Sequence, residues 1–255
     1  MKFASLGSGS EGNALLVAVG RTLVLMDCGF GLQDTLARLA RLNVPAEQLS
    51  GIVVTHEHGD HINGVARLAH KFNLPVWLTH GTLRSQPKTF AGIHTLHEID
   101  PHLAFAIGDI EIIPYPVPHD AAEPVQFVFN DGARRLGVLT DAGCGTAHIE
   151  QTLSGCHALV LECNHDTEML IRSDYPYSLK QRVGGRFGHL NNQNAADILS
   201  RLDTSRLQHL IAAHLSRKNN TAELAVQALS YALNCEASWV EVATQKEGFS
   251  WREIA

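Results

Sequence analysis

Short apolar runs recur along the chain, and most of them end at a glycine, an aspartate or a histidine. Runs of four to nine apolar or alternating residues predict strands at 2–6, 14–19, 21–26, 51–54, 75–78, 109–117, 125–130, 134–140, 158–163, 207–213 and 238–242. Apolar residues at helical spacing predict helices at 33–42, 62–69, 191–202 and 221–233. The Asp131-Gly132 pair predicts a hairpin turn between two of the strands. Residues 83–102 are polar and irregular and predict a loop, whereas 172–188 predict a basic loop or helix.

Strands and helices are arranged in the same way in both halves of the chain. Strands come in blocks with helices between them, and no linker, low-complexity segment or sequence repeat separates the halves. This order predicts an α/β fold in which two sheets pack face to face with helices outside, a four-layer αββα sandwich. We expect a single domain over residues 1–255.

Composition narrows the class of protein. Five cysteines form no Cys-x-x-Cys pair, and the first residues lack the apolar core of a signal peptide. No apolar run approaches membrane-spanning length. We therefore expect a cytoplasmic protein without a disulfide framework or a membrane partner. The net charge of −6 provides no global attraction to nucleic acid, and the sequence leaves the oligomeric state open.

The most informative segment is His56-x-His58-x-Asp60-His61, which lies between a predicted strand and a predicted helix. Three imidazoles and a carboxylate within six residues gain nothing from packing and repel one another once the imidazoles are charged. A divalent metal favours such a cluster, because neutral imidazole and carboxylate are its ligands. A solvated histidine-rich loop is the alternative, and composition alone gives no reason for this spacing.

Single polar residues also follow five predicted strands. Because strand ends can open on one edge of a sheet, we expect one polar centre there from His56, His119, Asp141, His165 and His214. Two metals need about six to eight ligands, and the chain offers His56, His58, Asp60, His61, His119, Asp141 and His214. Asp141 is the candidate bridge, and a metal-bridging hydroxide would be the nucleophile, so hydrolysis is favoured over redox chemistry.

The glycine-rich segment Gly7–Asn13 follows the first predicted strand. Its backbone N–H groups are placed to face an anion, as in a nest, or it is a plain hairpin turn. The residues by themselves leave both open.

These ligands resemble the signature of the metallo-β-lactamase superfamily, and the resemblance spans nearly the whole chain. It implies the αββα fold and two divalent metal ions, Mn²⁺ or Zn²⁺ with Fe²⁺ as a further option. It also implies that Asp141 bridges two ligand sets, which are His56, His58 and His119, and Asp60, His61 and His214.

Finer motifs resemble the YycJ (WalJ) group of that superfamily, which is related to ribonuclease Z. They are the segments 8–13, 161–166, 188–192 and 214–220. The resemblance implies a 5′-to-3′ exonuclease acting on DNA, with a single strand as its substrate. It assigns catalytic roles to Asp60 and His189, the latter at the scissile phosphate or the leaving oxygen. Substrate contacts are expected from Ser8, Ser10, Asn13, His165, Asp166 and Arg186.

The spacing of the motifs indicates a minimal core. Only 22 positions separate His119 from Asp141, and 73 separate Asp141 from His214. These spans are too short for the tRNA-gripping arm of ribonuclease Z or the inserted domain of the β-CASP nucleases.

Two other functions stay open from the sequence. The same metals would serve a small substrate, such as a cyclic phosphodiester or another ester or lactone. A non-catalytic, metal-stabilised module is the third hypothesis, and the complete ligand set argues against it. For His165 and Asp166, fixing the loop is an alternative to contacting ligands or phosphate.

Overall fold

The computed structural model describes residues 1–255. Its strands are β1 (Lys2–Gly7), β2 (Ala14–Val19), β3 (Thr22–Met26), β4 (Gly51–Val53), β5 (Val76–Thr79), β6 (Leu96–Ile99), β7 (Phe105–Ile107), β8 (Ile110–Pro116), β9 (Val125–Asn130), β10 (Arg135–Leu139), β11 (Ala158–Glu162), β12 (His209–Ala213), β13 (Val240–Val242) and β14 (Phe249–Glu253). Its helices are α1 (Leu32–Arg41), α2 (Gly59–Ile62), α3 (Val65–Phe72), α4 (His80–Ser85), α5 (Pro87–Phe90), α6 (Ala147–Leu153), α7 (Thr167–Arg172), α8 (Tyr177–Val183), α9 (Asn192–Arg201) and α10 (Ala222–Leu233), with 3₁₀ turns at Ala46–Gln48 and Ala237–Trp239.

Two seven-stranded sheets have the same internal plan. Their strand orders are β14-β1-β2-β3-β4-β5-β6 and β13-β12-β11-β10-β9-β8-β7. Each sheet has three antiparallel pairs at one side and three parallel pairs at the other; the antiparallel pairs join β14, β1, β2 and β3 in the first sheet and β7, β8, β9 and β10 in the second. The halves therefore share a topology, although their sequences show no repeat.

Three apolar clusters hold four layers together. One lies between the sheets and joins residues such as Phe3 and Val24 to Phe127 and Phe129 of the other sheet. A second packs α1 and α3 on the outer face of the first sheet, and a third packs α6, α9 and α10 on the outer face of the second. The predicted αββα sandwich is thus confirmed, because each sheet buries one face against the other sheet and one against helices.

Three parts of the chain differ from their predictions. Residues 83–102 contain the end of α4, all of α5 and the edge strand β6, where a loop was predicted. The short strand β7 and the strand β14 were also missed, so the last strand is β14 and not 238–242. β14 pairs antiparallel with β1 and returns the C-terminus to the first sheet. Edge strands and short strands carry weak periodicity, which explains these errors.

No helix is both long enough and apolar enough to cross a membrane.

A close backbone approach fixes the loop that carries the histidine motif. The main-chain N–H of Asn13 donates to the Asp60 carbonyl at 2.8 Å, and that of Gly29 donates to the Asn13 carbonyl at 3.0 Å. A Cβ atom at Gly29 would lie 1.8 Å from the Asp60 carbonyl oxygen. Only glycine therefore allows the loop to sit directly on the end of β3.

We expect Gly29→Ala to lower the free energy of unfolding by about 1–3 kcal/mol, because a methyl group must push the two backbones apart. Gly31→Ala is the control, since a Cβ at Gly31 meets nothing within 4 Å. Urea denaturation of both variants measures the difference. Equal stability of the two would contradict this account of the loop.

Candidate metal centre

Four strand ends bring the centre together. His56 follows β4 of the first sheet, while His119, Asp141 and His214 follow β8, β10 and β12 of the second. In the second sheet these three strands run in the same direction, so their C-terminal ends share one edge. The helix α2 then presents Asp60 and His61 beside His56.

Left-handed backbone occurs at two of these residues, Asp141 and His214, and at Asp27, which follows β3. Asp27, Asp141 and His214 have φ values of 60°, 55° and 57°, and each comes just after a strand. The other non-glycine residues with positive φ are asparagines, which tolerate this conformation better than most. Such backbone costs of the order of 1 kcal/mol at each residue and persists where the surrounding structure demands it. Here it turns three side chains sharply into the centre.

The first ligand set consists of His56, His58 and His119. His58 Nδ1 lies 3.1 Å from His56 Nε2 and 3.2 Å from His119 Nε2. For metal–nitrogen bonds of about 2.1 Å, tetrahedral ligand atoms stand about 3.4 Å apart. The three nitrogens therefore have the spacing that one cation requires.

The second ligand set consists of Asp60, His61 and His214. Asp60 Oδ2 lies 3.4 Å from His61 Nε2 and 3.5 Å from His214 Nε2. Asp141 stands between the sets, because its oxygens lie 3.5 Å from His214 Nε2, 3.3 Å from His61 Nε2 and 3.9 Å from His119 Nε2. The structure thus brings together all seven residues that the sequence predicts as ligands.

Two atoms test whether this set fits a metal. Asp141 Oδ2 and His214 Nε2 are buried and make no hydrogen bond. A buried polar atom without a partner is costly, and a cation at this position would satisfy both. The donor set, which contains nitrogen and oxygen without thiolate, fits a divalent metal.

Each buried ligand histidine is held through its other nitrogen. His56 Nδ1 meets the Thr55 hydroxyl at 2.9 Å, and His119 Nδ1 donates to the Gly188 carbonyl at 3.0 Å. His61 Nδ1 donates to Asp27 Oδ2 at 2.8 Å. When the proton is held on Nδ1, the lone pair of Nε2 is available to bind a metal.

Glu162 is the main residue that sequence reasoning missed. It is fully buried at the end of β11, and its Oε1 accepts from His214 Nδ1 at 3.0 Å and from His189 Nδ1 at 2.9 Å. Its Oε2 accepts from the main-chain N–H groups of Ala142 and Leu190. A carboxylate inside an otherwise apolar predicted strand was the available signal in the sequence, since acidic residues are rarely buried without a partner.

The two ligand sets differ in electrostatics. Burial would lower the pKa of His214, but the carboxylates of Asp141, Asp60 and Glu162 raise it to about 10. Burial and the neighbouring imidazoles instead lower the pKa of His56 well below its usual value. The second set therefore lies among several carboxylates, whereas the first set consists of imidazoles alone.

His189 lies beside the centre rather than in either ligand set. Burial would lower its pKa, but Glu162 and Asp141 raise it. Its side chain is about one-fifth exposed and lines an open cleft of about 330 Å³ together with Asp60, Asp141 and Arg182. Arg182 is not free there, because its Nε donates to Asp120 Oδ2 at 2.5 Å.

The predicted substrate contacts of the glycine-rich turn divide into two kinds. Ser10 is exposed and lines the cleft. Ser8 and Asn13 are buried beneath it, where the Ser8 hydroxyl accepts from the His214 main-chain N–H and Asn13 Nδ2 donates to Asp60 Oδ2. These two residues position ligands, and their burial leaves them little surface for a substrate.

The remaining predicted contacts lie outside the cleft. His165 is 2% exposed, its ring hydrogen-bonds the Asn164 side chain at 3.3 Å, and it lines a different cavity. The expectation that it joins the other strand-end residues in one centre is therefore wrong; Glu162 fills that place. Asp166 caps α7 by accepting from the Met169 N–H, and Arg186 is exposed without an ion pair.

We expect Glu162→Gln to weaken the affinity for Zn²⁺ or Mn²⁺ about 10–100-fold. A glutamine NH₂ at Oε1 would donate to His214 Nδ1, which places the imidazole proton on Nε2 and blocks that ligand. Isothermal titration of the metal-depleted protein measures this change. Glu236→Gln, an exposed position outside the site, is the control, and unchanged affinity in Glu162→Gln would refute the role.

Comparisons with known proteins agree with this geometry. A family model described as the β-lactamase superfamily domain matches residues 22–214. The chain is 36% identical to the exodeoxyribonuclease YycJ of Bacillus anthracis, across 91% of this chain and 89% of that protein. It is 31% identical to the exodeoxyribonuclease WalJ of Streptococcus pneumoniae serotype 2, across 88% of this chain and 85% of that protein.

Solved structures share the fold. The metallo-β-lactamase-fold protein YhfI from Bacillus subtilis superimposes with a TM-score of 0.77 at 20% identity, and 99% of each chain is covered. A structural similarity at 20% sequence identity shows only that the two proteins share a fold. The two sequence relatives show which group within the superfamily the chain belongs to. The chain belongs to the metallo-β-lactamase superfamily and, within it, to the group that contains YycJ and WalJ.

Proposed function

We propose that this chain is a metal-dependent exodeoxyribonuclease that hydrolyses DNA from the 5′ end in the 5′-to-3′ direction. The observation that carries the proposal is the complete ligand set beside a histidine that is free to act on the substrate. The names of the two sequence relatives supply the substrate class, which is DNA.

Two divalent ions fit the ligands. His56, His58 and His119 would hold one ion, Asp60, His61 and His214 the other, and Asp141 both. When bound, such ions make water more acidic and stabilise negative charge that develops on a phosphate. Mn²⁺, Zn²⁺ and Fe²⁺ all suit nitrogen and oxygen ligands.

His189 is the proposed general acid. Its Nδ1 is held by Glu162 at 2.9 Å, which leaves Nε2 as the remaining donor on the cleft wall. The carboxylates of Glu162 and Asp141 raise the pKa of this imidazole, which favours the protonated form that a general acid needs. As the bond between phosphorus and the leaving oxygen breaks, Nε2 gives that oxygen its proton.

Asp60 has two oxygens with separate tasks. Oδ2 accepts from Asn13 and faces His61 and His214. Oδ1 is free of these contacts, and we assign to it the proton of the attacking water. Asp60 thus supports both ligand binding and catalysis.

Two features favour the competing function, which is hydrolysis of a small phosphodiester. The protein has a net charge of −6, and Arg182 in the cleft is paired with Asp120. Both features weaken attraction to a polyanion and suit a small phosphodiester. Two of the predicted substrate contacts stay available: Ser10 lines the cleft, and Arg186, three residues before His189, is exposed and makes no ion pair.

Five unpaired cysteines support the cytoplasm as the compartment.

Removal of one ligand should remove one ion. We expect the wild-type protein to retain two equivalents of Zn²⁺ or Mn²⁺ after dialysis and His58→Ala to retain one, because the first set then has only two histidines. Elemental analysis gives the count, and His102→Ala, an exposed histidine, is the control. A single equivalent in the wild type would contradict the two-ion proposal.

His189→Ala should keep the metals and lose turnover by about 10²–10⁴-fold, which is the usual contribution of a general acid. The assay uses 5′-labelled and 3′-labelled single-stranded DNA beside bis(p-nitrophenyl) phosphate. Early release of the 5′ label as a mononucleotide is the expected result for the wild type. His148→Ala, an exposed histidine on α6, is the control.

Three outcomes would oppose the proposal. If His189→Ala retains its activity, His189 is not the general acid. Early loss of the 3′ label reverses the direction. Turnover of the small ester with all DNA intact moves the function to a small phosphodiester.

A further inference from the structure

A second cavity lies between α7 and α8, next to the metal cleft. It encloses about 590 Å³, a volume in the range of ligand pockets. Its lining includes His165, Ile171, Tyr177, Lys180, Gln181 and Asn191. None of these residues takes part in the chemistry described above.

The cavity shares a wall with the cleft. Arg182 and Val183 of α8 line the cleft, whereas Lys180 and Gln181 of the same helix line the cavity. A helix is about 10–12 Å across with its side chains. Each nucleotide of a nucleic-acid strand spans about 3.4 Å or more, so a bound strand that leaves the cleft reaches the cavity within a few nucleotides.

Apolar surface is concentrated at this place. Tyr177 is 75% exposed and Ile171 is 60% exposed, and Phe187 follows a few residues after α8 with 58% exposed. Two of the protein's six exposed large hydrophobic side chains, Ile171 and Tyr177, thus line this cavity, and Phe187 lies near them in sequence. The Tyr177 hydroxyl accepts from Gln181 Nε2 at 2.9 Å, which holds the ring at the rim of the cavity.

Free positive charge accompanies the exposed ring. Lys180 Nζ donates only to the Ile171 carbonyl, at 2.6 Å, and makes no ion pair. The neighbouring Arg172 is instead paired with Glu168, and Arg182 with Asp120. In a chain of net charge −6, an unpaired lysine beside an aromatic ring complements one phosphate and one base.

We propose that this cavity binds a nucleobase of a single-stranded nucleic acid whose scissile phosphate lies in the cleft. Tyr177 stacks on the base, Lys180 binds the adjoining phosphate, and Gln181 and Asn191 supply amide groups for the base edge. The inference rests on the proposed nuclease function and deepens it. A base inside an intact duplex is stacked on both faces, so the site selects single strands.

The test compares two exposed tyrosines. We expect Tyr177→Ala to weaken binding of a fluorescein-labelled oligo(dT) at least about tenfold, measured by anisotropy, and to raise the KM for single-stranded DNA similarly. Turnover of bis(p-nitrophenyl) phosphate stays at the wild-type rate, because this substrate does not reach the cavity. Tyr177→Trp retains binding, since the stacking surface is kept.

Tyr231→Ala is the matched control. Tyr231 is 89% exposed on α10 and lies outside this cavity, so its loss leaves oligo(dT) binding unchanged. Lys180→Gln serves as a second variant. We expect it to reduce the slope of log binding constant against log salt concentration by about one unit, which corresponds to the loss of one phosphate contact.

The two proposals fail in different ways. If the wild type neither binds nor cleaves DNA, the nuclease function itself falls. If it cleaves DNA and Tyr177→Ala behaves like Tyr231→Ala, only the base site falls. Equal losses on single-stranded and duplex DNA would also overturn the site, because a duplex has no free base to stack.

Discussion

Buried carboxylates that fix imidazole protons are the constraint on which this centre depends. Glu162 holds His189 and His214, and Asp27 holds His61. An imidazole that carries its proton on the wrong nitrogen is a poor ligand and a poor acid. Burying such charges is costly unless every oxygen has a partner, and Glu162 meets this condition with two imidazoles and two main-chain N–H groups.

The sandwich supplies the geometry that this network needs. Two sheets of the same plan bring strand ends to one edge, and left-handed backbone after β3, β10 and β12 turns their side chains inward. Local strain is tolerated because large apolar clusters on both faces of each sheet hold the strands in register. Gly29 completes the arrangement by letting the histidine loop rest on the end of β3.

The helix α8 divides the catalytic surface into two parts. On one side Arg182 is neutralised by Asp120 close to His58 and His119. On the other side Lys180 is unpaired beside Tyr177. An acidic protein can therefore still offer a local basic and aromatic surface, and the salt dependence of binding would reflect few phosphate contacts.

The sequence by itself predicted the layered fold and the seven candidate ligands that the structure brings together. A local motif of four residues and three further polar residues after apolar strands are short-range patterns that can be recognised in a single sequence. It did not determine the partners of those ligands. Glu162 meets His189 across 27 positions and His214 across 52, while the neighbouring His165 faces another cavity. Such contacts depend on the order of the strands in the sheet and on the direction in which each side chain points after its strand. Only the tertiary structure decides both.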